Sequence, residues 1–181
     1  MKTMKGKLIA FVTSLAILVS ASSIASAAQR GEDARTANQV RKELVKLPYY
    51  GVFDNLAYKL DGDTVTLYGQ VVKAITRKDA ERRVKKIEGV ERVINNIQVL
   101  PVSGFDNTIR VRTYRALTRT GGLYRYFLGA NPSIHIIVNR GHVTLEGVVS
   151  NQGDSRLANI TANGVSGVFS VTNNLRVERG S

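Results

Sequence analysis

The strongest constraint on this chain is an internal repeat. Residues 65–71 match residues 143–149 at five of seven positions, and residues 89–99 match 167–177 at six of eleven. Both matches have an offset of 78 residues, whereas unrelated sequences share about one residue in twenty. The chain therefore contains one folding unit twice. Because a solenoid needs three or more repeats, we expect two small domains in tandem.

Each copy has the hydrophobic pattern of helix, strand, strand, helix and strand. In the first copy, Val40, Leu44 and Leu47 recur at helical spacing, and Pro48 ends that helix. Alternating apolar residues then predict a hairpin of two strands. The elements after the first helix are predicted at 56–60, 65–71, 80–87 and 93–99, and those of the second copy at 109–117, 134–138, 143–149, 157–165 and 171–177.

The connections between these elements fix the expected topology. The hairpin makes the first two strands of each copy antiparallel, and the helical crossover makes the second and third strands parallel. We therefore predict an α+β fold of two tandem αββαβ domains, each a three-stranded mixed sheet covered by two helices.

The N-terminus has the pattern of a secretory signal peptide. Lys2, Lys5 and Lys7 precede an apolar run over 8–19, and small residues lead to Ala25-Ser26-Ala27. The run is shorter than the ~20 residues of a bilayer-spanning helix, although an uncleaved anchor is the alternative. Cleavage after Ala27 removes three lysines from a net charge of +12, so the exported chain stays basic. We expect a periplasmic location, because a chain without cysteine suits that oxidising compartment.

The predicted boundaries follow from the repeat and from Pro101 and Gly104, which interrupt the pattern between the copies. They are a signal peptide at 1–27, a tail at 28–34, the first domain at 35–100, a linker at 101–105, the second domain at 106–178 and a tail at 179–181.

The repeated unit V-T-L-x-G-x-V, followed by a helix and G-V-x-x-V-x-N-N-[IL]-x-V, resembles the BON domain (bacterial OsmY and nodulation). The match covers most of the chain after the signal peptide, which is similar to the organisation of OsmY-type periplasmic proteins. The resemblance implies an envelope location, no catalytic activity, binding to phospholipid surfaces and a role in envelope integrity under osmotic or other stress. It supplies no catalytic residues.

Four glycines in the repeated blocks have structural rather than functional explanations. Gly69 and Gly147 lie inside predicted strands, where glycine indicates a bulge or a closely packed helix. Gly89 and Gly167 follow predicted helices and are interpreted as helix stops.

Candidate binding residues lie where the two copies differ. Arg112, Arg115 and Arg119 fall within about 60° on one helix, a spacing at which like charges repel. We interpret them as a site for an external anion. Lys78, Arg82 and Lys85 form a second basic stripe, for which the alternative is a solvated helix face.

An aromatic segment bounded by glycines follows the arginine stripe. Tyr124, Arg125, Tyr126 and Phe127 suit a membrane surface, since amphipathic rings prefer the boundary between lipid and water. The first copy has a comparable aromatic segment at 47–53. The alternative is that Leu123, Tyr126 or Phe127 closes over the sheet as core.

Other classes of function have little support in the sequence. His135 and His142 are the only histidines, and neither has the spacing of a metal site or a catalytic motif. We therefore expect no enzyme activity, no metal and no cofactor. The export signal and the absence of a nucleic-acid-binding motif disfavour DNA or RNA as the partner of this basic chain.

The sequence thus predicts a non-enzymatic exported protein that docks on anionic phospholipid through the arginine stripe and the aromatic segment. The main alternative is a periplasmic chaperone or an adaptor of an envelope complex, which would bind proteins through an exposed sheet edge or the aromatic segments. Association with cell-wall polysaccharide is a third hypothesis that no sequence feature favours.

Overall fold

The computed structural model describes the backbone of residues 17–178 and the side chains of residues 31–178. The predicted signal peptide lies mostly outside this range, and so does the predicted tail at 179–181. None of the described helices is both long and apolar enough to cross a bilayer.

The first copy contains two helices and one sheet. Its elements are α1 (Ile17–Val45), β1 (Asn55–Asp61), β2 (Thr64–Val71), α2 (Ala74–Val84), β3 (Arg92–Asn95) and β4 (Gln98–Val99). Strand β2 is central, antiparallel to β1 and parallel to β3 and β4. Apolar side chains from α1, β2 and α2, with Val40, Val65 and Val84 fully buried, form the core between the sheet and the helices.

The second copy repeats this arrangement. Its elements are α3 (Gly104–Arg119), a 3-10 helix (Leu123–Phe127), β5 (Ile134–Asn139), β6 (His142–Val149), α4 (Gln152–Asn163) and β7 (Ser170–Val177). Strand β6 pairs antiparallel with β5 and parallel with β7. The predicted α+β fold of two αββαβ domains is therefore confirmed.

Several element boundaries differ from the prediction. Helix α1 continues through the predicted tail at 28–34, α2 spans Ala74–Val84 rather than 80–87, and α4 spans Gln152–Asn163 rather than 157–165.

Two further differences lie at the last strand of the first copy and at the start of α3. The last strand of the first copy is split into β3 and β4, and at the break the Ile97 N–H bonds to the Asn95 side chain at 3.2 Å. Helix α3 begins inside the predicted linker, at Gly104, since the Ser103 side chain accepts a hydrogen bond from the Asp106 N–H at 3.1 Å and so caps the helix.

The repeated asparagines tie the last strand of each copy to its second helix. The Asn95 amide donates to the Arg77 carbonyl at 3.1 Å, and the Asn173 amide donates to the Ser155 carbonyl at 3.0 Å. These bonds join equivalent positions in the two copies. The repeated sequence therefore preserves a contact that joins the sheet to its helix.

Gly69 and Gly147 are explained by the neighbouring strand. Both have a positive φ, of 116° and 125°, which side-chain-bearing residues rarely adopt. A Cβ at Gly147 would lie 1.9 Å from the Ser133 carbonyl oxygen, and one at Gly69 would lie 2.0 Å from that of Asn55. The close approach of a strand, not of a helix, thus requires glycine here.

Gly89 and Gly167 do not end their helices directly. Helices α2 and α4 end at Val84 and Asn163, and the two glycines lie in the turns that lead to the last strands, with φ of 83° and 95°. Their positive φ allows the turns to reverse the chain.

Candidate functional site

The aromatic segment of the first copy packs against the second copy. In this segment, which we call the strap (residues 50–54), the Val52 carbonyl accepts a hydrogen bond from the Ile136 N–H of edge strand β5 at 2.7 Å. Val52 and Phe53 pack against the core of the second copy, and the Phe53 ring makes an edge contact with Tyr114. The strap therefore joins the two domains.

Most of the aromatic segment of the second copy is core. Leu123, Tyr126 and Phe127 are buried, and the Tyr126 hydroxyl donates to Asp154 at 2.6 Å and accepts from the Ser150 N–H at 2.9 Å. The prediction that Tyr126 and Phe127 insert into a membrane is therefore wrong, because both side chains belong to the core. The 3-10 helix turns these side chains inward, as the alternative interpretation predicted when it placed them in the core over the sheet.

Arg125 also has an internal partner. Its guanidinium pairs with the Asp154 carboxylate, donates to the Tyr126 hydroxyl at 3.0 Å and lies over the Tyr126 ring. The Tyr126 hydrogen bond and the Asp154 charge raise the pKa of Arg125. This arginine is therefore engaged within its own domain and is a weaker candidate for an external anion than the sequence indicated.

The three arginines of α3 remain available. Arg112, Arg115 and Arg119 are exposed on one side of the helix, opposite the buried Ile109 and Leu117. Within the described residues none of the three forms an ion pair, and only Arg112 makes a hydrogen bond, to the Ser166 carbonyl at 3.3 Å. The helix thus presents three positive charges to solvent, as expected.

Two exposed apolar side chains follow these arginines. Tyr124 is 57% exposed and Leu128 is 63% exposed. Leu128 was not predicted, since no pattern in the sequence distinguishes it from the buried residues beside it. We call Arg112, Arg115, Arg119, Tyr124 and Leu128 together the arginine face.

The second basic stripe is largely neutralised. Arg82 pairs with Asp79 at 2.6 Å, and Lys85 pairs with Glu81 at 2.6 Å. Lys78 is exposed and has no such partner among the described residues. The pairing favours a solvated helix face and makes α2 a poorer anion site than α3.

Ionisable side chains are buried where the strap meets the second copy. The Asp54 carboxylate accepts from the Val72 N–H at 2.7 Å and from the Gly51 N–H at 3.1 Å. His135 lies 3.4 Å from the Tyr50 hydroxyl and 3.3 Å from the Gly51 carbonyl oxygen. Arg110 is 2% exposed and donates to the Val138 carbonyl at 2.7 Å.

Burial dominates the pKa values in this cluster. It lowers the pKa of His135 and raises that of Asp54, although the two groups partly offset this by attracting each other. Burial also raises the pKa of Tyr50 to about 12 and lowers that of Arg110. Burial at this junction therefore favours the neutral form of His135.

We expect the junction to weaken as the pH falls from 7.5 to 5.5. Because the folded state holds His135 at a lowered pKa, the unfolded state takes up more protons once the pH passes below about 6.5. Each tenfold loss of proton affinity costs about 1.4 kcal/mol. Protonation of Asp54, whose pKa burial raises, acts in the opposite direction. The measurement is denaturant unfolding at both pH values.

His135→Gln is the matched variant, since the amide keeps a polar side chain without the titration. The variant should lose less stability than the unmodified protein over this pH range. An identical pH dependence for the two proteins would contradict the assignment to His135.

No cluster of metal-binding side chains occurs among residues 31–178: no three of their His, Cys, Asp or Glu residues lie together as ligands.

Comparison with known proteins identifies one family, and the structural matches include two weak likenesses. A family model described as BON domain matches residues 32–101 and again residues 106–179. Two structures of CdsD, a structural protein of the type III secretion system of Chlamydia trachomatis, each share 11% identity with this chain, one being the C-terminal domain. They cover 78% of this chain and 96% and 91% of their own, with TM-scores of 0.28 and 0.29. No curated protein matches the chain.

Proposed function

Because the chain belongs to the BON domain family, with two copies of the domain, we propose that it is a non-enzymatic periplasmic protein that docks on anionic phospholipid. The arginine face is its docking surface. By holding to the inner surfaces of the envelope, the protein supports envelope integrity under osmotic or other stress.

The observation that carries this proposal is the unbalanced charge of α3. Arg112, Arg115 and Arg119 have no acidic partner among the described residues, and the acid of the same helix, Asp106, is 1% exposed. Both Asp106 oxygens accept backbone N–H groups, of Arg140 at 2.9 Å and of Gly141 at 2.8 Å. The cost of placing three like charges on one face is offset when an external anion is bound.

The expected free energy of this interaction is large enough for reversible binding. An arginine near an anionic bilayer contributes about 1 kcal/mol, so three contribute about 3 kcal/mol. Burial of Tyr124 and Leu128 in the interfacial region adds an apolar contribution. Salt screens exposed charges beyond about 8 Å at physiological ionic strength, so binding should weaken as salt is added.

We expect Arg115→Glu combined with Arg119→Glu to lower affinity for anionic vesicles at least tenfold. The substitution replaces attraction by repulsion at two exposed positions, and neither side chain has an internal partner within the described residues. The measurement is co-sedimentation of residues 28–181 with vesicles of phosphatidylglycerol and phosphatidylcholine, over a range of salt concentrations.

The control is Arg92→Glu combined with Arg176→Glu, which causes the same change in net charge. Both residues are exposed and make no ion pair in the described part of the chain. Equal losses in the two double variants would mean that net charge, not the arginine face, drives binding. No binding of the unmodified protein to anionic vesicles at low salt would overturn the proposed function.

A role as a chaperone or an adaptor for envelope proteins is the second candidate. It is favoured by β7, an eight-residue edge strand that pairs with β6 on one side. An edge of this length can accept an extended segment of another chain. Binding of unfolded outer-membrane proteins that does not weaken with salt would favour this candidate over lipid docking.

A further inference from the structure

A groove of about 380 Å³ runs between the two domains. Its floor is apolar: Leu100 of the first copy and Ile137 of the second are each 4% exposed. Ile137 lies on the sheet face that points away from the helices, since its neighbours Ile136 and Val138 belong to the core. Ligand sites commonly lie at such domain junctions, with an apolar floor and a few polar groups.

The sides of the groove carry unpartnered amides. Gln70 and Gln98 line it from the first copy and Asn139 from the second. Within the described residues, none of these side chains makes a hydrogen bond to protein. Each amide offers two donors and an acceptor, which is what a sugar hydroxyl or acetamido group needs. Arg140 adds a cation, and no carboxylate of residues 31–178 lines the groove.

An aromatic ring adjoins this groove. Phe169 is 68% exposed, and its ring centroid lies 5.9 Å from that of His142, which lines the groove. A Cβ at Gly141 would lie 2.6 Å from the Phe169 ring, so the absence of a side chain lets the ring lie on the turn. The ring also packs against Phe105, with 5.7 Å between the two ring centroids, and still leaves most of its surface exposed. A large exposed apolar group of this kind marks a contact site.

The walls of the groove are held in place before any ligand binds. Asp106 is buried and fixes the turn that carries Arg140 through two hydrogen bonds from backbone N–H groups. The strap fixes β5 to the first copy through the bond from Ile136 to Val52. Preorganised walls reduce the entropy lost on binding.

We propose that this groove binds a glycan chain. A sugar ring has an apolar face for Phe169 and the groove floor, and hydroxyl or acetamido groups for Gln98 and Asn139. The single Arg140 and the three neutral amides fit an uncharged or weakly acidic glycan better than a strongly anionic lipid surface. An extended peptide is the main alternative occupant, and the test includes it.

The test is a titration of ¹⁵N-labelled residues 28–181 with N-acetylglucosamine hexasaccharide and with maltohexaose, followed by NMR. We expect the amide signals of Gln98, Asn139 and Phe169 to shift with at least one of them. Gln98→Ala combined with Asn139→Ala should raise the dissociation constant at least tenfold. The control is Asn38→Ala combined with Gln152→Ala, which removes two exposed amides that do not line the groove.

Retention on purified peptidoglycan sacculi, reduced in the same variant, is the second measurement. Absence of groove shifts with both oligosaccharides, together with no retention on sacculi, would overturn the proposal. Equal affinities of the two double variants would do the same, as would groove shifts caused only by extended peptides. Since the arginine face is not involved, vesicle binding should be unchanged in Gln98→Ala with Asn139→Ala, which separates this proposal from lipid docking.

Discussion

Replacement of Gly147 by alanine is expected to destabilise the second domain by about 3 kcal/mol or more. A side chain at positive φ costs about 1–3 kcal/mol by itself. The new Cβ would also lie 1.9 Å from the Ser133 carbonyl oxygen, so β5 and β6 must move apart. A loss of 3 kcal/mol corresponds to about 15 °C in the melting temperature of a domain of this size.

The measurement is thermal unfolding of the full exported chain, with Gly121→Ala as the control. Nothing lies within 4 Å of a Cβ built at Gly121, and its φ is ordinary. That variant should melt like the unmodified protein. A small effect of Gly147→Ala would mean that the strands tolerate separation at this point, and the repeated glycine would need a different explanation.

Replacement of Phe53 by alanine is expected to destabilise the junction of the two domains by about 2 kcal/mol. Truncation of a fully buried phenylalanine costs about 3–5 kcal/mol, and Phe53 is half-buried. The ring contacts Tyr114, which in turn contacts Phe127 edge-on at 5.5 Å between ring centroids. Its loss should therefore loosen the strap and increase hydrogen exchange at the Ile136 N–H.

The control for Phe53→Ala is Tyr49→Ala, four residues away and 51% exposed. This neighbour stacks with Lys73 of its own domain and makes no contact that the junction depends on. We expect its Ile136 exchange to match that of the unmodified protein. If Phe53→Ala changed neither the unfolding midpoint nor this exchange rate, the strap would be an incidental contact.

The fold was largely predictable from the repeat and from the hydrophobic pattern. Alternation in segments such as 143–149 reports directly which side of a strand faces the core, because the side-chain period of a strand is two residues. The split between β3 and β4 was not predictable from the sequence. The side chain of Asn95 accepts a bond from the Ile97 N–H, and the equivalent Asn173 accepts the same bond from the Leu175 N–H, yet β7 continues without a break.

The candidate site was predictable only in part. The arginine stripe follows from helical periodicity, so Arg112, Arg115 and Arg119 lie on one face as expected. The aromatic segments look alike in the sequence, yet the strap joins the domains while Tyr126 and Phe127 complete a core. Arg125 looked free because its partner, Asp154, is 29 positions away. Such long-range contacts leave no periodic signal.

The strap also means that the two copies are no longer interchangeable. A single domain with an edge like that of β5 would expose the Ile136 N–H, and such an unpaired edge can pair with a strand of another chain. After duplication, the loop of the first copy covers this edge in the second. Reversing the order of the domains along the chain would remove that protection. The order of the two copies is therefore a structural requirement of this chain.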